Sequence, residues 1–371
     1  MKYLTEYRDP ELAKRYIDEI HKTVTQPWTI MEVCGGQTHS LVKNGILNML
    51  PKEVNMVHGP GCPVCVTPLN LIDKAVYLAE EKNVILCSYG DMLRVPGSER
   101  SLLESKANGA DIRILYSPLE AVKIAEQNPD RQVVFFAVGF ETTAPANALS
   151  VIHAHRAKLN NYSILASHVL VPPAIEALMS DEESVVQGFL AAGHVCTIMG
   201  MQEYYPLVKR FKVPIVITGF EPIDLLQGIL MTLKQLEKGE TKLENQYARM
   251  VKERGNERAM DIIYEVFEVT NRMWRGMDVI PSSGYEVKDQ YAHYDAKRKF
   301  NVNIPEVPEN EACIAGAIMK GIKKPFECPN FGNKCKPEMP LGAPMVSSEG
   351  ACAAYYHFSD MLNRVEETVG V

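Results

Sequence analysis

The stretch Trp28-Thr29-Ile30-Met31-Glu32-Val33-Cys34-Gly35-Gly36-Gln37-Thr38-His39 has a counterpart further along in Val54-Asn55-Met56-Val57-His58-Gly59-Pro60-Gly61-Cys62-Pro63-Val64-Cys65. In both, an apolar, β-prone run ends in a glycine-containing turn that carries cysteine. A helix-start signal follows each turn: Thr38 as a cap before 39–50, and Thr67 with Pro68 at the first helical position before 69–81. Three thiols therefore fall where strands end and helices begin, the edge at which open α/β sheets bind ligands. A helix N-terminus favours the thiolate over the thiol, and the thiolate is both nucleophile and metal ligand. Glycine and proline alone would only make turns; three cysteines at two such turns point to chemistry.

The same alternation runs outward from these stretches. An amphipathic helix over 10–24 precedes them, with Ala13, Ile17, Ile20 and Val24 along one face. Strands are predicted over 83–88, 111–116, 132–138, 163–169, 194–199 and 213–218. Helices are predicted over 98–107, 118–127, 146–158, 173–179, 203–211 and 223–236. Strands alternating with helices give parallel sheets with crossover helices, an α/β protein. Gly139-Phe140-Glu141 and Gly219-Phe220-Glu221 each sit between a strand and a helix, an internal echo that suggests two related α/β halves. Beyond Gly239 the pattern changes to a charged helical segment over 242–269, a stretch over 277–307 without period, and a Pro/Gly-rich loop region over 324–350 before a closing helix over 351–367. The division expected is one α/β domain over 28–140, a related one over 141–238, and a third, loop-rich domain from 1–27 and 239–371.

Bulk composition agrees. The chain has 371 residues, enough for roughly two or three domains. A net charge of -7, with no Lys/Arg-rich run interleaved with aromatics, argues against a nucleic-acid partner. Residues 1–10 have no apolar signal-peptide core, and no stretch approaches the ~20 apolar residues of a membrane span, so a soluble, cytoplasmic protein is expected. In a reducing compartment, nine cysteines argue for metal or redox use over a disulfide framework.

Cys313, Cys328, Cys335 and Cys352 lie in or beside the Pro/Gly-rich region. Loops of this length need an internal staple, because ordering them costs backbone entropy with little core in return. Four thiolates can hold a [4Fe-4S] cluster or a zinc ion; the close pairs usual in structural zinc sites are absent, which favours iron–sulfur. Cys62 and Cys65 have the spacing of a dithiol/disulfide redox pair. Cys34 with His39 would suit a soft or borderline metal such as Fe(II), although a histidine at a helix start also serves as a cap or packing residue. Glu141, Thr142 and Thr143 stand at another strand-to-helix turn, where they can line the same cleft or simply cap the helix. Glu221 reads as a first-turn acid, and Cys87 and Cys196 as inert core residues on apolar strands.

Taken together, Cys34 to His39, Gly59 to Cys65, Gly139 to Thr143, and the late quartet with Phe331-Gly332 and Gly342-Ala343-Pro344-Met345-Val346-Ser347 resemble the HypD family of [NiFe]-hydrogenase maturation proteins. The resemblance implies an assembly scaffold for an Fe(CN)2(CO) unit, shared with a small partner, HypC, and supplied with cyanide as a C-terminal thiocyanate by HypE. It implies Cys34 as the iron-holding thiolate, Cys62 and Cys65 as the redox dithiol, and Cys313, Cys328, Cys335 and Cys352 as ligands of a [4Fe-4S] cluster relaying electrons. Two readings from other classes compete: a cluster-dependent disulfide reductase acting on a thioredoxin-like partner, which leaves Cys34 unexplained, and a zinc-stapled interaction module.

Overall fold

A computed structural model describes residues 6–81, 83–304 and 307–358. Eleven strands are present among them: β1 Trp28–Glu32, β2 Val54–His58, β3 Val84–Ser88, β4 Ile112–Ile114, β5 Gln132–Gly139, β6 Tyr162–His168, β7 Gly188–Ala192, β8 Ile215–Thr218, β9 Leu243–Asn245, β10 Phe267–Trp274 and β11 Asp278–Val287. They form one sheet in the order β2-β1-β7-β8-β9, a second in the order β4-β3-β5-β6, and a β10-β11 hairpin. Every pairing in the two larger sheets is parallel, as the strand–helix alternation predicts.

Both sheets are covered on both faces, which the continuous apolar runs require. Along β1 and β2, Ile30 and Met56 pack with Leu190, Val216 and Ile229 on one side. Met31 and Val57 pack with Phe189, Ile215 and Ile175 on the other. In the second sheet Val133 and Phe135 face one cluster, while Val134 and Phe136 face another. The hairpin closes the first of these, adding Phe267, Tyr285 and Val287 beneath Phe135.

The sheets do not follow the break at residue 140. The chain begins the first sheet with β1 and β2, builds the whole second sheet with β3 to β6, then returns to the first with β7 to β9. β1 is satisfied on both edges, by β2 and by β7, a pairing across more than a hundred residues that local pattern does not encode. The Gly-Phe-Glu echo ends a strand in each sheet but not at equivalent places: β5 is the first strand past the reversal in order, whereas β8 is the second.

Three elements differ in kind from the pattern. Residues 194–199 are helical, within the helix Gly193–Met199; the strand there is β7, just before it. A short apolar run does not distinguish a buried helix from a strand, and pairing with β1 and β8 selects the Gly/Ala-containing segment instead. Cys196 therefore lies on a helix. The segment 242–269 contains β9, the helix Glu257–Val266 and the start of β10; Gly255, at φ +62°, and the Asn256 cap set where that helix begins. Residues 277–307 contain β11. The closing helix is Ala351–His357, and its expected continuation beyond residue 358 lies outside the described residues.

Cys34, not Thr38, occupies the N-cap of the helix Gly35–Lys43, and Cys62 the N-cap of the short helix Pro63–Val66. The two turns interlock. Gly35 N–H donates to the Gly61 carbonyl at 2.9 Å, and a Cβ at Gly61 would lie 2.2 Å from the Cys34 nitrogen. Replacing Gly61 by alanine must part the two cysteine turns. Gly61→Ala is expected to destabilise the fold by ~1–3 kcal/mol, the range for overpacking. Gly90→Ala, whose new Cβ would meet nothing closer than Ile114 at 3.7 Å, serves as the control in thermal unfolding.

Candidate functional site

In the first sheet, strand order reverses between β1 and β7; in the second, between β3 and β5. Such reversals open a crevice at the C-terminal strand ends. Cys34 follows β1 and His194 follows β7, so both stand at the first reversal. Tyr89 and Gly90 follow β3, and Phe140, Thr142 and Thr143 follow β5, at the second. The two reversals share one cleft of about 710 Å³, lined from one side by Gly61, Pro63 and His194 and from the other by Tyr89, Thr142 and Thr143. Ser347–Glu349, from the cysteine-rich region, closes a third side.

Cys34 Sγ is 3.6 Å from His194 Nδ1. Burial pushes the Cys34 thiol up, and the helix N–H groups of Gln37 and Gly36 oppose that shift without overcoming it. The expectation that a helix start would favour the thiolate is thus reversed, because removing the anion from water costs more than a few oriented N–H groups return. Burial also lowers His194 to about 4, which leaves a neutral imidazole that resists protonation and could hold a metal. Phe220 packs over that ring, with centroids 5.1 Å apart. His39 is placed elsewhere: its Nδ1 is 3.1 Å from the Ser348 carbonyl and its ring meets Phe358 edge-on.

Beneath Cys34 lies a buried polar chain. Glu32 accepts from Cys34 N–H at 2.8 Å and from the Thr38 hydroxyl, and its other contact is His58 Nδ1 at 2.7 Å. His58 Nε2 in turn is 2.8 Å from the Tyr355 hydroxyl, on the helix that also carries Cys352. Cys62 and Cys65 are disulfide-bonded, with Cα atoms 5.2 Å apart, and both are buried in the cluster that contains Cys34.

Thr142 and Thr143 line the cleft; Glu141 does not. It is buried, with one carboxylate oxygen accepting from Val171 N–H at 2.9 Å and the other without a partner. Burial raises it from the ordinary 4.5 to about 8, with Glu203 adding to the rise. Burial likewise raises Cys87, to about 12, and pushes up Cys196, so neither is a ready thiolate.

The late quartet comes together. Cys313, Cys328, Cys335 and Cys352 all line one small chamber walled by Ile318, Phe331 and Met345. The Cys352 thiol is pushed well up by burial and then by the three other cysteines, which places all four within electrostatic reach. Leu341 N–H donates to Cys335 Sγ at 3.3 Å. Among the described residues, no group of three or more Cys, His, Asp or Glu side chains is arranged to hold a single metal ion. Four thiols around an apolar chamber instead suit a multi-iron cluster, in which each thiolate binds its own iron.

Pattern alone missed His194 and gave Glu32 no part. His194 was legible by the rule that marks Cys34, a reactive side chain just past a strand end, but only once β7 is set in the right place. Nothing local marks Tyr355.

Fold and site thus define a two-sheet α/β protein with a disulfide loop and an imidazole at its central cleft, a buried thiol behind that imidazole, and a separate four-thiol chamber. The chain belongs to the HypD family: the family model described as "HypD: Hydrogenase formation hypA family" matches residues 11–359. It is 46% identical to hydrogenase maturation factor HypD2 of Bradyrhizobium diazoefficiens, covering 96% of this chain and 97% of that protein. It is 45% identical to HypD of Azotobacter vinelandii, over 96% and 97% of the two chains. HypD of Escherichia coli K12 is 42% identical over 96% and 98%. No helix among the described residues is long and apolar enough to cross a membrane.

Two outcomes are expected from this geometry. Glu32→Leu strips acceptors from Cys34 N–H, Thr38 and His58, each worth ~1–3 kcal/mol when left buried and unpaired, whereas Tyr355→Phe removes one bond worth ~1 kcal/mol. Denaturant midpoints should rank wild type, then Tyr355→Phe, then Glu32→Leu. Glu141, with its folded value raised from 4.5 to about 8, holds a proton that the unfolded chain gives up. Its contribution to stability is full below pH 4.5 and is lost as pH rises through about 8. Melting temperatures of Glu141→Gln should therefore fall less than wild type on going from pH 5 to pH 9.

Proposed function

We propose that this chain is a hydrogenase maturation factor that serves as the scaffold on which an Fe(CN)2(CO) unit is assembled. The observation that carries the reading is the thiol–imidazole pair of Cys34 and His194 at the first sheet's reversal, interlocked through Gly61 with the Cys62–Cys65 loop. Iron is the substrate of this site. Cys34 binds it as a thiolate, and metal binding releases the thiol proton to solvent, with the neutral His194 Nδ1 standing 3.6 Å from the sulfur. Soft CO and cyanide ligands favour low-spin Fe(II), which a thiolate helps to anchor. Glu32 fixes the Cys34 backbone, so the sulfur is presented at one place.

A HypC-type small protein supplies the facing thiolate, and a HypE-type donor brings cyanide as a thiocyanate. Breaking the S–C bond of R–S–C≡N takes two electrons and yields R–S⁻ and cyanide. The reduced Cys62/Cys65 pair supplies both electrons as it closes its disulfide and gives up two protons. Thr142 and Thr143, across the cleft, offer hydroxyls to the incoming donor. Cys313, Cys328, Cys335 and Cys352 would hold a [4Fe-4S] cluster, whose chemistry when bound is one-electron transfer.

The test is an infrared spectrum of the chain purified without oxygen together with its small partner. Bands of metal-bound CO and cyanide are expected in wild type, absent from Cys34→Ala and assembled more slowly in Cys62→Ser or Cys65→Ser. Bands that persist in Cys34→Ala would remove the anchor role. A wild type with iron and sulfide but no such bands would instead favour a cluster-dependent disulfide reductase.

A further inference from the structure

The turn between β10 and β11 carries Arg275. Its backbone N–H donates to the Val66 carbonyl at 2.9 Å, the last residue of the helix that holds Cys65. The next residue, Gly276, at φ +76°, presses on the other side against Gly316, where a Cβ would lie 2.8 Å from the Gly316 Cα. Gly316 belongs to the helix Ala315–Met319, which begins just past Cys313. This one turn is therefore wedged between the disulfide loop and the first ligand of the four-thiol chamber.

The Arg275 side chain is 7% exposed. Its Nε and Nη2 both lie 2.8 Å from Glu309 Oε2, and Glu309 is 40% exposed. The remaining Nη1 is buried with no partner. A buried cation with a spare donor is costly unless negative charge lies nearby. Through Gly276 and Gly316 its turn abuts the helix that follows Cys313.

We propose that Arg275 is a positioning residue that sets the reduction potential of the cluster held by Cys313, Cys328, Cys335 and Cys352, and that braces that cluster against the Cys62–Cys65 loop. The inference rests on the cluster reading above. Reduction adds one negative charge to a group already ringed by four thiolates, and a fixed buried cation favours the reduced form. Glu309 moderates the effect, since it cancels part of that charge.

The experiment is an EPR-monitored potentiometric titration of the full-length chain prepared without oxygen, with iron and sulfide assayed on each sample. Arg275→Met is expected to shift the reduced-to-oxidised ratio at fixed potential by about tenfold towards oxidised, equivalent to ~59 mV for one electron. Arg275→Lys keeps the charge and should recover most of the shift. Glu309→Gln frees the guanidinium and should shift the ratio the opposite way. Arg275→Met with wild-type iron, sulfide and potential overturns the proposal and leaves the cluster reading intact. If Arg275→Met does not retain its cluster, Glu309→Gln decides: an unchanged potential there overturns the proposal. Wild type without iron and sulfide overturns the cluster reading and this inference with it.

Discussion

The Glu32 carboxyl group has no solvent exposure, and the arrangement around Cys34 depends on how its oxygens are satisfied. A buried polar group left without its partner costs ~1–3 kcal/mol, so such a group imposes its geometry on its partners. Its contacts here are Cys34 N–H, the Thr38 hydroxyl and His58. They draw the end of β1, the first turn of the following helix and the end of β2 onto one point. Through His58 and Tyr355 the same constraint reaches the C-terminal helix that bears Cys352. The cysteine-rich region is thereby fastened to the cleft by hydrogen bonds as well as by the packing of Ala354 and Tyr355 on Val42.

That fastening gives the molecule two thiol compartments of opposite character. Around Cys34, burial keeps the sulfur protonated until positive charge enters the site, and the neutral His194 stands 3.6 Å away. Within the quartet, four thiols face a common apolar space, where burial pushes up Cys313 and Cys352, and the thiolates are favoured once positive charge enters it. The Cys62–Cys65 loop lies between them, joined to Cys34 by Gly61 and to the hairpin by Val66 and Arg275. The order Cys34, disulfide, Arg275, Cys313 is thus continuous through protein contacts rather than through solvent.

Strand type and parallel sense were legible because a parallel strand covered on both faces must be apolar throughout, and runs such as Val133 to Val138 are. The difficulty at β7 has the same origin. Gly188-Phe189-Leu190-Ala191-Ala192 is weakly β-prone, while Val195-Cys196-Thr197-Ile198-Met199 is strongly so, and only the open edge of β1 made the first a strand. Placing that strand late hid His194, which then fell inside an element rather than at its end. The hairpin was missed for a related reason: Asp278 and Ser282 adopt positive φ there, a strained local geometry that packing against the second sheet sustains.

The sequence by itself determined the chemistry available: three thiols at strand-to-helix turns, four more in or beside loops that cannot pack a core, and hydroxyls after β5. Those features are local, since turn and cap residues and cysteine spacing act over a few residues. Tertiary structure alone decided which of them meet. It returned the chain to the first sheet after β6, brought His194 rather than His39 to Cys34, turned Glu141 away from the cleft, and set Tyr355 and Arg275 between compartments. Each of these depends on pairings and burial between residues far apart in the chain, where free energy is set by area removed from water and by polar groups that must find partners.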